Sequence, residues 1–318
     1  MYIFFKKGVL SLLFLIFALS VFGNGTSEKQ SDEGTRTRTI STDLGNVDVP
    51  IHPERVVVLD AMDNVLALGI KPVGASNWMG SASGEKAGFP TYLANEDLSD
   101  VTWLGDNKQP NLEMIMSLHP DIILGRMNRH EGIYDTLSAI APTVLVDQKA
   151  LGGWKGQFLA YGEALNKSAE AKELLIQYDK RTTNIAQKIK GLNRIPTVSV
   201  VRFDPNRIVI YEKKIFAGSV LNDAGILRPE YQDKDRKSEA ISAEQIDLVD
   251  GDILITIQAN QNTSILSKLK DNPLWSNLEA VKKDKVYNVS FDIWIGGWTI
   301  TGANLILDDI ESLLSIND

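Results

Sequence analysis

The stretch Ser168–Lys190 constrains the fold most, because it predicts one long helix near the middle of the chain. It contains neither glycine nor proline, and its apolar residues recur at helical spacing to make a single stripe. Ser168 is placed to cap the start, and Gly191 and Pro196 end the helix. At ~1.5 Å per residue the helix spans roughly 35 Å. An ordinary surface helix would explain this pattern, but similar sequences on both sides favour a rod between two lobes.

The sequence repeats itself on the two sides of this helix. Residues 111–125 and 242–256 align with Glu113 opposite Glu244. Each piece predicts a short capped helix, a tight turn and then a buried strand. One such match would be weak evidence for a duplicated design.

A second pair of segments, residues 66–72 and 222–229, occurs in the same order. In each, a helix ends at Gly69 or Gly225 with an apolar residue and a proline close behind, the usual C-terminal stop. Strands alternate with helices through both halves, which implies parallel sheets with right-handed crossovers. The predicted fold is α/β, with two lobes, each a mainly parallel sheet flanked by helices, joined by one long helix.

The chain divides into five predicted segments. Residues 1–23 combine two lysines with an apolar run that is short for a membrane span, so they predict a secretory signal peptide. The protein is therefore expected to be exported, to the periplasm or to the outer face of the cytoplasmic membrane. Residues 24–39 lack apolar content and predict a disordered tether. The remaining boundaries are the N-terminal α/β lobe at 40–165, the linking helix at 166–192 and the C-terminal α/β lobe at 193–318.

Composition and motifs argue against several classes of function. The formal net charge of −8 argues against a general nucleic-acid binder, and the lack of cysteine removes thiolate metal sites and cysteine nucleophiles. No G-x-S-x-G, phosphate-loop or H-E-x-x-H motif occurs, so an enzyme is not expected. The acidic pair Asp308 and Asp309 fits the solvated face of the last helix. Asp60 and Asp63 fit a helix start, where aspartate is favoured for capping.

Cationic and aromatic side chains follow the predicted strands in both lobes, where α/β sheets bind their ligands. Arginine holds carboxylate, phosphate or hydroxamate oxygens bidentately, and rigid aromatic rings add contact area at little entropic cost. A surface salt bridge would also explain the position of any single arginine. Packing in the core would also explain the position of any single tryptophan. We expect an anionic organic ligand between the lobes, contacted by Arg126, Arg202, Trp78, Trp294, Trp298, Arg129, His130 and Tyr211.

Three segments carry most clearly a resemblance to a known family, namely PIHPERVVVL (50–59), PNLEMIMSLHPDIILGR (110–126) and SAEQIDLVDGDIL (242–254). Through them the chain resembles the bacterial ABC-transporter solute-binding proteins for ferric siderophores and cobalamin, and the similarity covers nearly all of the chain after the signal peptide. The segment WIGGWTITGANLILDDIESLL (294–314) looks most like the branch that binds iron–hydroxamate or citrate-type siderophores. The resemblance implies two α/β lobes joined by one long helix.

This resemblance also implies a function. We expect a monomeric binding protein that captures a ferric siderophore without any cofactor or metal ligand of its own, and passes it to an ABC permease. Arg126 and Arg202 would hold the ferric complex, and Glu113 and Glu244 would dock on arginine pockets of the permease. Asn24 stands where lipoproteins of this type carry the anchoring cysteine, which leaves open whether the protein is anchored or free.

Three alternatives remain at this point. The same fold can carry cobalamin or haem, and haem would take His130 or Tyr211 as its axial ligand. A secreted α/β enzyme would need a matched acid–base pair in the cleft. Direct binding of zinc or manganese is disfavoured by the three scattered histidines.

Overall fold

The computed structural model describes residues 36–77, 88–258 and 265–315. The predicted signal peptide and Trp78 lie outside these residues, as do positions 24–35 of the predicted tether. The described chain opens with an antiparallel hairpin of β1 (Thr37–Thr42) and β2 (Gly45–Pro50). The predicted tether therefore extends too far, because positions 37–39 already pair with β2.

Five parallel strands form the sheet of the N-terminal lobe, in the order β5-β4-β3-β6-β7. These strands are β3 (Val56–Val58), β4 (Gly74–Asn77), β5 (Thr102–Asp106), β6 (Ile122–Arg126) and β7 (Thr143–Val146). The helices of this lobe are α1 (Met62–Ala67), α2 (Leu112–Ser117), α3 (Met127–His130), α4 (Tyr134–Ser138) and α5 (Trp154–Ala164). Strand order reverses between β3 and β6, so the chain leaves these two strands in opposite directions and opens a crevice at their carboxyl ends.

The linking helix α6 (Ser168–Lys190) has the predicted bounds. Its buried face comprises Ala171, Leu175, Tyr178, Thr182, Ile185 and Ile189. The prediction that Ser168 caps the helix is wrong, because Ser168 is already helical and the N-cap position is Lys167, without a side-chain hydrogen bond.

The sheet of the C-terminal lobe is mixed, in the order β10-β9-β8-β11-β12. The strands are β8 (Val198–Phe203), β9 (Ile208–Tyr211), β10 (Ser238–Ile241), β11 (Ile253–Gln258) and β12 (Val286–Asn288). The helices are α7 (Phe216–Asp223), α8 (Leu266–Leu269), α9 (Pro273–Ser276), α10 (Glu279–Lys282), α11 (Phe291–Trp294) and α12 (Ile300–Leu314). Strands β8, β11 and β12 are parallel, whereas at one edge β9 pairs antiparallel with both β8 and β10.

The internal repeat has a structural counterpart in two aspartates. Asp121 accepts a hydrogen bond from the backbone N–H of Glu54 at 2.6 Å, just before β3. Asp252, its partner in the alignment, accepts one from the backbone N–H of Thr197 at 2.8 Å, just before β8. The corresponding carboxylate therefore holds the residues just before the corresponding strand in each lobe, as a duplicated α/β design would predict.

The two lobes share one hydrophobic core. It runs from the N-terminal sheet through α5, α6 and α12 to one face of the C-terminal sheet. Helix α12 is tied to α6 by Arg181, whose Nη2 lies 2.5 Å from both Asp308 and Glu311.

In the described part of the chain, no helix is both long and apolar enough to cross a membrane.

Ile185→Ala should lower the free energy of unfolding by about 2–5 kcal/mol, because the side chain is fully buried on α6 and its loss leaves a cavity. Ile176→Ala removes the same atoms from a position that is 61% exposed on the same helix, and should cost less than about 0.5 kcal/mol. Urea unfolding followed by circular dichroism measures both. Equal losses would contradict the assignment of the buried face.

Candidate functional site

A cavity of about 180 Å³ lies at the carboxyl ends of β3 and β6, where residues from both lobes meet. The N-terminal lobe supplies Asp60, Asp63, Tyr92, Asn107, Arg126, Arg129 and Gln148, among others. The C-terminal lobe supplies Lys237, Asp292, Gly296, Gly297 and Trp298. The wall therefore carries three basic and three acidic side chains, with one tryptophan ring.

Arg126 ends β6 and is held in a fixed orientation by two partners. Its Nη1 lies 3.1 Å from Oδ2 of Asp60, and its Nη2 donates to Oε1 of Gln148 at 3.0 Å. The Asp60 carboxylate also accepts from Nδ2 of Asn107 at 2.7 Å and from Nε2 of Gln157 at 3.3 Å. Both ionic side chains are largely buried, with 14% and 10% exposure. The guanidinium is thus preorganised at the junction of the two strands, although this pairing balances part of its charge.

His130 supports Arg126 from behind and does not face the cavity. Its Nδ1 accepts from the backbone N–H of Arg126 at 3.0 Å, and its Nε2 lies 2.6 Å from the carbonyl oxygen of Asn107. These partners require the neutral ring with the proton on Nε2, and burial lowers the pKa of His130 in the same sense. The prediction that His130 contacts a ligand is not met, because the side chain is fully buried and both nitrogens are occupied.

Asp63 and Asn64, which belong to the N-terminal lobe, accept hydrogen bonds from the C-terminal lobe at the edge of the cavity. Oδ2 of Asp63 accepts from the hydroxyl of Thr299 at 2.5 Å and from that of Tyr92 at 3.0 Å. Oδ1 of Asn64 accepts from the backbone N–H of Ile300 at 3.1 Å. Burial raises the pKa of Asp63 to about 6. The capping role predicted for Asp63 is wrong, because its carboxylate bonds to α12 and to Tyr92 instead.

Trp298 lines the cavity in a constrained turn. Its φ is +43°, a left-handed value that is costly for a bulky residue and that concentrates at functional sites. Its ring stacks on Phe216, with centroids 5.7 Å apart and planes 29° apart. The preceding Gly297 has no room for a side chain, since a Cβ there would lie 2.7 Å from the carbonyl oxygen of Ile293. The Gly-Gly-Trp sequence thus fixes the tryptophan ring in the cavity wall.

Arg129 also reaches the cavity, where its Nη1 donates to Oδ1 of Asn107 at 3.1 Å. The structure therefore brings together three of the predicted ligand residues, namely Arg126, Arg129 and Trp298. Trp78 lies outside the described residues, so its predicted role stays a prediction.

Arg202 and Tyr211 lie outside the set of residues that line the cavity. The Nη2 of Arg202 is 2.7 Å from Oδ2 of Asp204, and the central carbon of its guanidinium lies 6.0 Å from the ring centroid of Tyr211 and 5.7 Å from that of Phe291. Tyr211 itself is only 4% exposed in β9. Both residues lie at or near strand ends as predicted, but Arg202 is paired with Asp204 and Tyr211 is buried, and neither lines the cavity.

Trp294 is a core residue, contrary to the prediction that it contacts a ligand. Its side chain is fully buried, and its indole N–H donates to Oδ2 of Asp309 at 2.7 Å. The interpretation of Asp309 as a solvated helix residue is wrong for the same reason. Burial raises the pKa of Asp309, which is consistent with this enclosed position.

Several residues of the site were missed by sequence reasoning. Asp60 lies two residues after the end of β3, so the rule that found Arg126 would also have found Asp60. Lys237 precedes β10, an edge strand without a clear sequence pattern, and carried no signal.

Glu113 and Glu244 are both exposed, one in each lobe, in the corresponding helical segments after Asn111 and Ser242. Among the residues with described positions, no group of three or more histidine or acidic side chains is arranged to hold a metal ion.

Comparisons with known proteins agree on one family. A family profile described as periplasmic binding protein matches residues 65–292. The probable siderophore-binding lipoprotein YfiY of Bacillus subtilis is 35% identical, over 96% of this chain and 98% of its own length. The Fe(3+)-citrate-binding protein YfmC of the same organism is 30% identical, over 91% and 92%. The crystal structure of Staphylococcus aureus SirA complexed with staphyloferrin B has a TM-score of 0.73 at 30% identity, and the match covers 88% of this chain and 99% of that one.

Asp60→Asn should lower the free energy of unfolding by about 3 kcal/mol, because it leaves the largely buried guanidinium of Arg126 without its carboxylate. Asp308→Asn makes the same change in a pair whose aspartate is 58% exposed, and should cost less than about 1 kcal/mol. Urea denaturation measures both, and similar losses would show that the Asp60–Arg126 pair is not the stronger constraint.

Proposed function

Because the chain belongs to the periplasmic binding protein family, we propose that it is an extracytoplasmic binding protein that captures a ferric siderophore of the citrate or hydroxamate type. It then delivers the complex to an ABC importer. The observation that carries this proposal is the preorganised Arg126 in a cavity between two lobes, whose wall also contains Arg129 and Lys237. The names of the relatives, which include binders of siderophores and of Fe(3+)-citrate, support the ligand class.

The chemistry of capture follows from the groups in the cavity wall. A siderophore fills the inner coordination shell of Fe³⁺, so the protein needs to recognise only the outer oxygens and the shape of the complex. Arg126 and Arg129 offer charged N–H groups to those oxygens, and Trp298 offers a fixed flat surface. No covalent bond is made or broken in this proposal, so we do not expect catalysis.

The domain organisation in this proposal is two lobes, 40–165 and 193–318, around the linking helix at 166–192. Glu113 and Glu244 are proposed to dock on the permease, one from each lobe. Their exposure and their equivalent positions in the repeat support that role, since a permease with two similar subunits would meet two similar surfaces.

Haem is a weaker candidate ligand for this cavity. It needs an axial histidine or tyrosine, but both nitrogens of His130 are hydrogen-bonded, and Tyr211 is buried and does not line the cavity. Cobalamin needs no such ligand, and a binding comparison with ferric complexes separates it from the main proposal.

Arg129→Gln should weaken binding of a ferric complex by about 1.5–3 kcal/mol, because it removes a charged hydrogen-bond donor from the cavity. Quenching of tryptophan fluorescence measures the affinity, with ferric citrate, ferric staphyloferrin B, ferrichrome, cobalamin and haem as the titrants. Arg207→Gln removes an exposed arginine outside the cavity and should leave the affinity unchanged.

Arg202 was predicted from the sequence to contact the ligand, but it does not line the cavity. Arg202→Gln in the same titrations tests that prediction. A loss as large as that of Arg129→Gln would return Arg202 to the binding site. Failure of every ferric complex to bind, with tight binding of cobalamin, would overturn the proposed ligand class.

Glu113→Ala and Glu244→Ala should leave ligand affinity unchanged but lower uptake through the cognate importer by roughly tenfold, because each removes one charge from a docking contact. Uptake of radioactive iron in cells that depend on this protein measures the effect. Glu173→Ala, an exposed glutamate on the linking helix, serves as the control. Loss of ligand affinity in either docking variant would contradict the proposed role.

A further inference from the structure

Asp63 and Asp60 are the two carboxylates that the N-terminal lobe contributes to the cavity wall, and they differ in their partners. Asp60 is paired with the guanidinium of Arg126. Asp63 is 4% exposed, and the side-chain groups that donate to it among the described residues are two neutral hydroxyls, those of Thr299 and Tyr92. Its negative charge is therefore held in the wall of the cavity without a cationic partner in the described structure.

The Asp63 carboxylate acts on the cavity through Thr299. The hydroxyl of Thr299 donates to Asp63, and its oxygen accepts from the backbone N–H of Gly302 at 3.0 Å, which caps α12. Thr299 directly follows Trp298, whose left-handed backbone places the ring in the cavity. A carboxyl group at position 63 thus fixes the turn that carries the tryptophan.

We propose that Asp63 is a positioning residue for ligand capture, and that its carboxylate takes up a proton from solvent when an anionic ferric complex enters the cavity. This inference rests on the proposed function. The protonated group keeps one oxygen to accept from Thr299 or Tyr92, so the turn at Trp298 is retained. The only bond formed is the O–H bond of the carboxyl group, and the proton removes a negative charge that would oppose the ligand.

Some of the groups around Asp63 favour its protonated form, and others favour its ionised form. Asp60 at the end of β3 and Asp292 on α11 add negative charge, while Arg126, Arg129 and Lys237 line the same cavity with positive charge. Tyr92, from the 3₁₀ segment Thr91–Leu93, donates to the carboxylate and favours its ionised form. An anionic ligand adds negative charge and engages the cations, and both effects favour the protonated form of Asp63.

The direction of the pH dependence follows from the pKa of Asp63. Burial raises this pKa to about 6 in the free protein, and a bound anion raises it further. Between these two pKa values the complex holds more protons than the free protein. Affinity should therefore rise as the pH falls from 8 towards 6, by up to about tenfold per pH unit, and level off below about 6.

Isothermal titration calorimetry in two buffers with different ionisation enthalpies measures the proton uptake directly. The titrants are ferric citrate and ferric staphyloferrin B as anionic complexes and ferrichrome as a neutral tris-hydroxamate complex. Wild-type protein should take up a substantial fraction of a proton at pH 7 with the anionic complexes and much less with the neutral one. Asp63→Asn should lose this uptake and the associated pH slope, whereas Asp309→Asn, another enclosed carboxylate outside the cavity, should retain both.

Tyr92→Phe provides a second test that keeps the carboxylate in place. It removes a hydrogen bond that favours the ionised form, so the pH below which affinity levels off should move upward. An unmoved transition in this variant, or uptake in Asp63→Asn equal to that of the wild type, would overturn the inference while leaving the proposed function intact. Failure of the wild type to bind any ferric complex would overturn both.

Discussion

The ion pair between Asp60 and Arg126 joins the ends of the two strands between which the N-terminal sheet reverses its order. Strands β3 and β6 are neighbours, but the chain leaves them in opposite directions, and just after β3 the backbone N–H of Leu59 still donates to the carbonyl oxygen of Leu124. Beyond that point the largely buried pair joins the two chain segments, with Gln148 as a further partner of Arg126 and Asn107 as a further partner of Asp60. The orientation of the cavity wall therefore depends on electrostatics in a place that the sheet itself cannot organise.

The rest of the cavity depends on how the C-terminal lobe is fastened to this wall. Helix α12 belongs to the C-terminal half of the sequence, yet its first residues bond to Asp63 and Asn64, and its apolar face enters the shared core. The linking helix is thus joined by a further connection between the lobes at the start of α12. Because this connection begins directly after Trp298, the ring in the cavity wall is placed by the junction between the lobes.

The periodic features of the fold could be predicted from sequence alone. The bounds of α6, the repeated helix–strand units and the α/β class all follow from local patterns of apolar residues, glycine and proline. The mixed edge of the C-terminal sheet could not be predicted, because β10 has four residues of which one is buried, and its pairing with β9 depends on tertiary contacts. Similarly, Ser168 has the chemistry of a cap, but the helix begins one residue too early for it.

The binding residues were predicted from their positions just beyond the ends of strands. Such a position does not determine which neighbouring side chains a residue contacts in the folded protein. A side chain just beyond a strand reaches the correct end of the sheet, and this is true of Arg126 and of Arg202 alike. Their neighbours distinguish them, since Arg126 lines the cavity, whereas Arg202 is paired with Asp204 and lies near the rings of Phe291 and Tyr211. The same limitation applies to charge. Counting arginines suggested a cationic crevice, but the structure places Asp60, Asp63 and Asp292 among them, so the net charge that a ligand meets depends on how those carboxylates are paired and protonated.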